Sequence, residues 1–168
     1  MRRIIIVSPH PDDAIIGAYQ ILMKKASEID IFYLESDFGC ETEVNCLQQK
    51  TNVGAHHFED RSLLRDALRS SVGEISHIIA PDPYWDTHLE HRLCGAIAID
   101  VALVFGINLI QYSTRMNAPY VRPLEASVAE KKKDLLNFVH PSQESLWKYD
   151  YRFWLFEGNI QWIDQGCL

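Results

Sequence analysis

No Cys-x-x-Cys pair, no long basic tract and no unbroken apolar run of bilayer length occur in these 168 residues. The cysteines (Cys40, Cys46, Cys94 and Cys167) are widely spaced. A chain of this length buries a core without staples, so reduced thiols and a cytoplasmic setting are expected. The longest apolar stretch, 94–110, is interrupted by Asp100, Gly106 and Asn108, which argues against a membrane span. Met1-Arg2-Arg3 before Ile4–Val7 has the start of a secretion signal, but the apolar run is too short, and Asp12 and Asp13 end it. Positive charge is scarce: the net charge is −7, and the one basic run is Lys131–Lys133. An acidic domain repels phosphate backbones and anionic headgroups, so neither nucleic acid nor a membrane surface is expected as a partner. Repeats, linkers and low-complexity segments are also missing, and residues 1–168 read as a single domain.

What is present is an alternation of short strands and helices. Ile4–Val7 is a continuous β-branched run, the mark of a strand buried on both faces of a parallel sheet. Two prolines then force a loop over 8–13, and a helix is expected over 14–26. Further strands are expected near 29–35, 56–58, 75–80, 107–112 and 151–156, with helices near 42–53, 61–72, 88–105 and 125–138. The pattern implies an α/β fold: a three-layer α/β/α sandwich around a mostly parallel, Rossmann-like sheet. Ligands bind such sheets beyond the carboxyl ends of the strands. The loops after the first strand and after 75–80 fall there, and both are dense in His and Asp.

The first loop reads Pro9-His10-Pro11-Asp12-Asp13 and the second Asp86-Thr87-His88-Leu89-Glu90-His91. Imidazole nitrogen and carboxylate oxygen both suit zinc, and three protein ligands plus an open position make a catalytic site. If His88 opens a helix, His88 and His91 share a face at i, i+3. Taken alone, each cluster has a plainer reading. The aspartates could cap the helix that follows, and the histidines could be a surface pair. Asp37-Phe38-Gly39 matches a kinase tripeptide, but no glycine-rich loop accompanies it. His56, His57 and His77 match nothing and are read as structural. Trp147, Trp154 and Trp162 suit a core or a contact between copies, so a homo-oligomer is compatible with the sequence.

With Gly17 after the first cluster, the two clusters resemble the motifs of the PIG-L de-N-acetylase family. Lys132 to Gln143, with His140 and Ser142, resembles a third family segment. The resemblance spans Pro9 to Gln143, most of the chain. It implies a zinc-dependent hydrolase that removes an N-acetyl group from an amino-sugar, nucleotide-sugar or glycoconjugate substrate. By the resemblance, His10, Asp13 and His91 hold one Zn2+ per chain, or another divalent ion. Asp12 is the general base, and His88 stabilises the oxyanion. Glu90 or Asp86 would orient His88, with Tyr84, Trp85 and His140 at the pocket. The chain departs from the family at Ala14, where Glu is usual, at Glu90, where Asp is usual, and at Cys40, where Arg often precedes a Glu such as Glu43. The chemistry carries over and the substrate does not. Two alternatives remain open: an amidase acting on another amide such as a thiol conjugate, and a ligand-binding member without catalysis. A metallophosphoesterase needs a carboxylate-rich site for two metals, and only one set of three ligands is visible.

Overall fold

The computed structural model describes residues 3–23, 28–34, 40–51, 53–115, 117–141 and 144–162. Strands and helices alternate: β1 (Arg3–Ser8), α1 (Asp13–Leu22), β2 (Ile29–Tyr33), α2 (Cys40–Thr51), β3 (Gly54–His57), α3 (Arg61–Ser70), β4 (Ile75–Pro81), α4 (Leu89–Phe105) and β5 (Asn108–Tyr112). There follow β6 (Arg122–Pro123), α5 (Ala126–Val139), α6 (Glu144–Tyr149), α7 (Arg152–Leu155), β7 (Phe156–Glu157) and β8 (Asn159–Trp162). The main sheet runs β3-β2-β1-β4-β5-β8. All its pairings are parallel except that of β8, which lies antiparallel on β5 at the edge.

The β-branched run of β1 explains its central place. Side chains alternate across a strand, so a strand covered on both faces must be apolar at every position. Ile5 and Val7 pack with Phe32, Ile78, Leu64, Leu68, Cys94 and Ala98, the last four supplied by α3 and α4. Ile6 faces the other way, into a cluster with Ile15, Leu47, Ile79 and Leu136 from α1, α2, β4 and α5. That gives the three layers. α3 begins where the Asp60 carboxylate accepts the N–H groups of Ser62 (2.7 Å) and Leu63 (3.0 Å). α4 ends at Gly106, whose left-handed φ of 66° suits a residue without Cβ.

A break in α1 ties this layer to the C-terminal part of the chain. At Ala18 the backbone leaves helical geometry (φ −134°, ψ 25°). In an unbroken helix the Gln20 N–H would bond the Ile16 carbonyl. Here that carbonyl accepts Lys132 Nζ instead, and the Gln20 N–H goes to the Glu157 carboxylate at 3.1 Å. Lys132 also donates to the Phe156 carbonyl at 2.8 Å, and its Nζ lies 3.8 Å from Glu157 Oε2, both side chains being wholly buried. A side-chain pair has inserted into the helical ladder. A Cβ on Gly17 would stand 2.0 Å from the ring of Tyr112, so only glycine lets the broken helix close on that ring. Removing one partner of a buried pair strands the other charge. Lys132→Met should therefore destabilise the fold by about 3–5 kcal/mol and lower the melting temperature by about 10 °C. Lys132→Met with Glu157→Leu should recover part of that loss in thermal denaturation. A single variant that melts with the wild type would contradict this reading of the break.

The strand expected over 151–156 forms only at its last residue, Phe156, in β7. Residues 152–155 make one turn of helix, because Asp150 accepts the Arg152 N–H (3.1 Å) and pairs with its guanidinium, and Leu155 N–H reaches the Tyr151 carbonyl (2.8 Å). Local capping outweighs the strand preference of the aromatics, and the edge strand comes later, at β8. Gly54 opens β3 and does not cap α2. Among the described residues no helix is long and apolar enough to cross a membrane.

Candidate metal centre

The strand order reverses between β1 and β4, the position where a crevice opens in sheets of this kind. The loop that leaves β1 and the loop that leaves β4 meet there. In the first, Ser8 Oγ donates to the His10 carbonyl (2.5 Å) and accepts the Ala14 N–H (3.0 Å). Ser8 thus performs the capping that the aspartates might have done, and the Asp12 side chain makes no cap bond to α1. The His10 N–H donates to Asp13 Oδ2 at 2.9 Å, turning that carboxylate under the loop. In the second loop, Asp82 accepts the Tyr84 N–H and Asp86 Oδ1 accepts the His88 N–H, each at 2.9 Å. His88 is the N-cap residue of α4, and His91 lies in the first turn.

These two loops bring His10, Asp13 and His91 together. His10 Nδ1 lies 3.0 Å from Asp13 Oδ2, His91 Nε2 lies 3.1 Å from the same oxygen, and the two ring nitrogens are 3.1 Å apart. A tetrahedral ion with bonds of about 2.0–2.2 Å sets its ligand atoms roughly 3.3–3.6 Å apart. The triangle would need to open by only a few tenths of an ångström. The chemistry of the donor set also fits. Two imidazole nitrogens and a carboxylate oxygen that face one another at this range present lone pairs, which a proton or a cation must hold together. Potential ligand atoms of His10, His88 and His91 lie within 4.8 Å of one another, as do those of His10, Asp12 and Asp13. His88 and Asp12 therefore border the same triangle.

The electrostatics follow from burial. Burial alone would push the His91 imidazole down, but the carboxylates of Asp13 and Asp86 outweigh it and hold it up to about 10. Burial would raise Asp13, yet its contacts with His10 and His91 keep it well below the carboxylate range. Asp86 is lowered likewise, burial being outweighed by His91. A cation that draws on the same lone pairs would have to compete with protons for them.

Asp86 is the support behind His91. Its Oδ2 lies 2.7 Å from His91 Nδ1 and accepts the Thr114 hydroxyl at 2.9 Å, and its side chain is 1% exposed. A proton on Nδ1 leaves the Nε2 lone pair aimed at the triangle, the carboxylate–histidine–metal arrangement. Asp86→Asn should weaken metal affinity by about 10–100-fold in a chelator competition. Unchanged affinity would show that Asp86 does not orient the ligand.

Other expected site residues fall elsewhere. Glu90 does not orient His88: its carboxylate turns outward to Arg61, with Nη1 3.1 Å from Oε1. Position 90 lies on a different side of the helix from 88 and 91, and a guanidinium waits there. Tyr84 is 78% exposed and lines a groove with Leu89, Arg92 and Ile99, which no residue of the triangle lines. Trp85 is partly exposed, at 40%. His140 is buried at the end of α5, its Nδ1 2.8 Å from Glu43 Oε2. Burial pushes its imidazole down to about 4, against the pull of the Asp13 charge. Ser142, Gln143 and 37–39 lie outside the described residues. His56 Nε2 lies 3.6 Å from Asp30 Oδ1, and His57 Nε2 lies 3.2 Å from the Leu34 carbonyl. Thr114 and Arg61 were not singled out from sequence, since nothing local marks a lone threonine or a helix-opening arginine.

No protein-family profile and no curated protein matches the sequence. Among solved structures, the A40926 pseudoaglycone deacetylase Dbv21 superposes with a TM-score of 0.66 at 12% identity, over 96% of this chain and 98% of that one. At this identity the likeness establishes the fold alone: both chains share the three-layer architecture almost end to end.

Proposed function

We propose that the chain is a metal-dependent N-deacetylase of the PIG-L type, acting on an acylated amino sugar or glycoconjugate. The observation that carries this reading is the His10–Asp13–His91 triangle, with sides of 3.0–3.1 Å, at the switch point of the sheet. The shared fold of Dbv21, named as a pseudoaglycone deacetylase, supports it. In this reading His10 Nδ1, Asp13 Oδ2 and His91 Nε2 hold one divalent ion, and mixed nitrogen and oxygen donors favour zinc. Such an ion, when bound, supplies Lewis acidity and makes water acidic enough to ionise near neutral pH.

The chain's own residues do the rest. Asp12, beside the triangle, takes a proton from the attacking water as its oxygen bonds to the acyl carbon. His88, from the other loop, donates an N–H to the oxygen on which negative charge gathers. Asp12 then returns the proton to the nitrogen as the C–N bond breaks, giving a free amine and acetic acid, which ionises to acetate in water. Asp86 keeps His91 oriented throughout. The test is acetate release from a panel of N-acetyl sugars, with zinc-loaded and chelated protein side by side. Release that needs the metal is expected. A fully loaded protein that releases nothing from any amide would favour a binding role instead.

A further inference from the structure

A cavity of about 350 Å³ opens beside the triangle, with His10 in its wall. Pro9 and Leu34 give it an apolar side, and Glu59, Asp60, Arg61 and Glu90 line the remainder. The volume is at the lower end of the range for small-molecule sites, enough for about one sugar ring. Its charge is the informative feature, because three carboxylates face one guanidinium. The guanidinium is already committed: Arg61 Nη1 lies 3.1 and 3.3 Å from the two oxygens of Glu90. Asp60 is held as well, by the Ser62 and Leu63 N–H groups and the Ser62 hydroxyl at the start of α3. With Arg61 paired to Glu90, an anion entering the cavity would meet the negative charge of Glu59 and Asp60.

Resting on the deacetylase reading, we infer that the cavity walled by His10, Glu59, Asp60 and the Arg61–Glu90 pair takes the polyol side of a neutral or cationic amino sugar and rejects phosphorylated and nucleotide-linked ones. Sugar hydroxyls donate hydrogen bonds, and carboxylates only accept them, so the lining matches an uncharged polyol. It also matches the amine formed by the reaction, which gains a proton in water. Rejection is by repulsion, a selection against the wrong ligand that needs no extra contact with the right one.

The experiment compares kcat/KM for acetate release from methyl N-acetylglucosaminide and from N-acetylglucosamine phosphate, using zinc-loaded protein. The neutral sugar should be preferred by roughly 10-fold or more, and added salt should shrink the preference as the repulsion is screened. Glu59 is exposed, so Glu59→Lys should fold normally and lower the ratio of neutral to phosphorylated rates by roughly 10-fold. Acetate from both sugars with the phosphate equal or better would overturn this inference and leave the deacetylase reading standing. So would a ratio indifferent to Glu59→Lys. No acetate from either sugar, with metal bound, would overturn both.

Discussion

Asp12→Asn should keep its metal and lose about 10²–10⁴-fold in the turnover of acetate release, the scale of general-base loss. The expectation comes from the division of labour between adjacent carboxylates. Asp13 is 3% exposed, and its Oδ2 lies within 3.1 Å of both candidate imidazole ligands. Asp12 is half-buried, with its carboxylate within 4.8 Å of ligand atoms of His10 and Asp13. A base has to reach a water that is open to substrate, and a ligand has to be locked; the two environments fit those tasks. Asparagine keeps the shape of aspartate and cannot take a proton. Turnover and metal content measured on one preparation decide the matter. If the variant loses its metal, Asp12 is a ligand and the roles of the two aspartates are exchanged.

His91→Ala should strip the metal at stoichiometric zinc and reduce acetate release to background. His91 joins both halves of the site: Nε2 meets the Asp13 carboxylate at 3.1 Å and Nδ1 meets Asp86 at 2.7 Å. Removing the ring takes away one of the three proposed ligands. It also leaves two buried carboxylates without their shared cation, which costs stability by about 3–5 kcal/mol. Because unfolding alone could explain metal loss, His91→Gln is the control, since it preserves volume and hydrogen bonding. It should melt closer to the wild type and still fail to hold zinc. Full zinc occupancy in a folded His91→Gln would remove His91 from the ligand set.

The layered fold was legible in the sequence because the β1 run, the alternation of elements and the stop at Gly106 are local signals. The two loops could be placed together before any coordinates, because the topology of a parallel sheet sends both to the same edge. What the sequence left open depends on long-range contact. Asp86 was visible as a residue near His88, but only the folded loop sends its side chain to His91 while its other oxygen holds the His88 backbone. Glu90 sits within the metal motif, yet Arg61, brought close by α3, draws it outward. The break in α1 has only a weak local sign, Gly17 beside Ala18; the partners that hold it open, Lys132 and Glu157, come from the other end of the chain. The aromatic stretch near 151 shows the reverse, a strand preference overruled by Asp150 two residues away.

The proposed chemistry depends on one ion held between two loops. Anomalous diffraction at the zinc edge, from crystals grown with zinc and without chelator, tests it most directly. One strong peak per chain is expected, within about 2.0–2.2 Å of His10 Nδ1, Asp13 Oδ2 and His91 Nε2. A zinc-soaked crystal with no peak there, or with a peak held by other side chains, would contradict it.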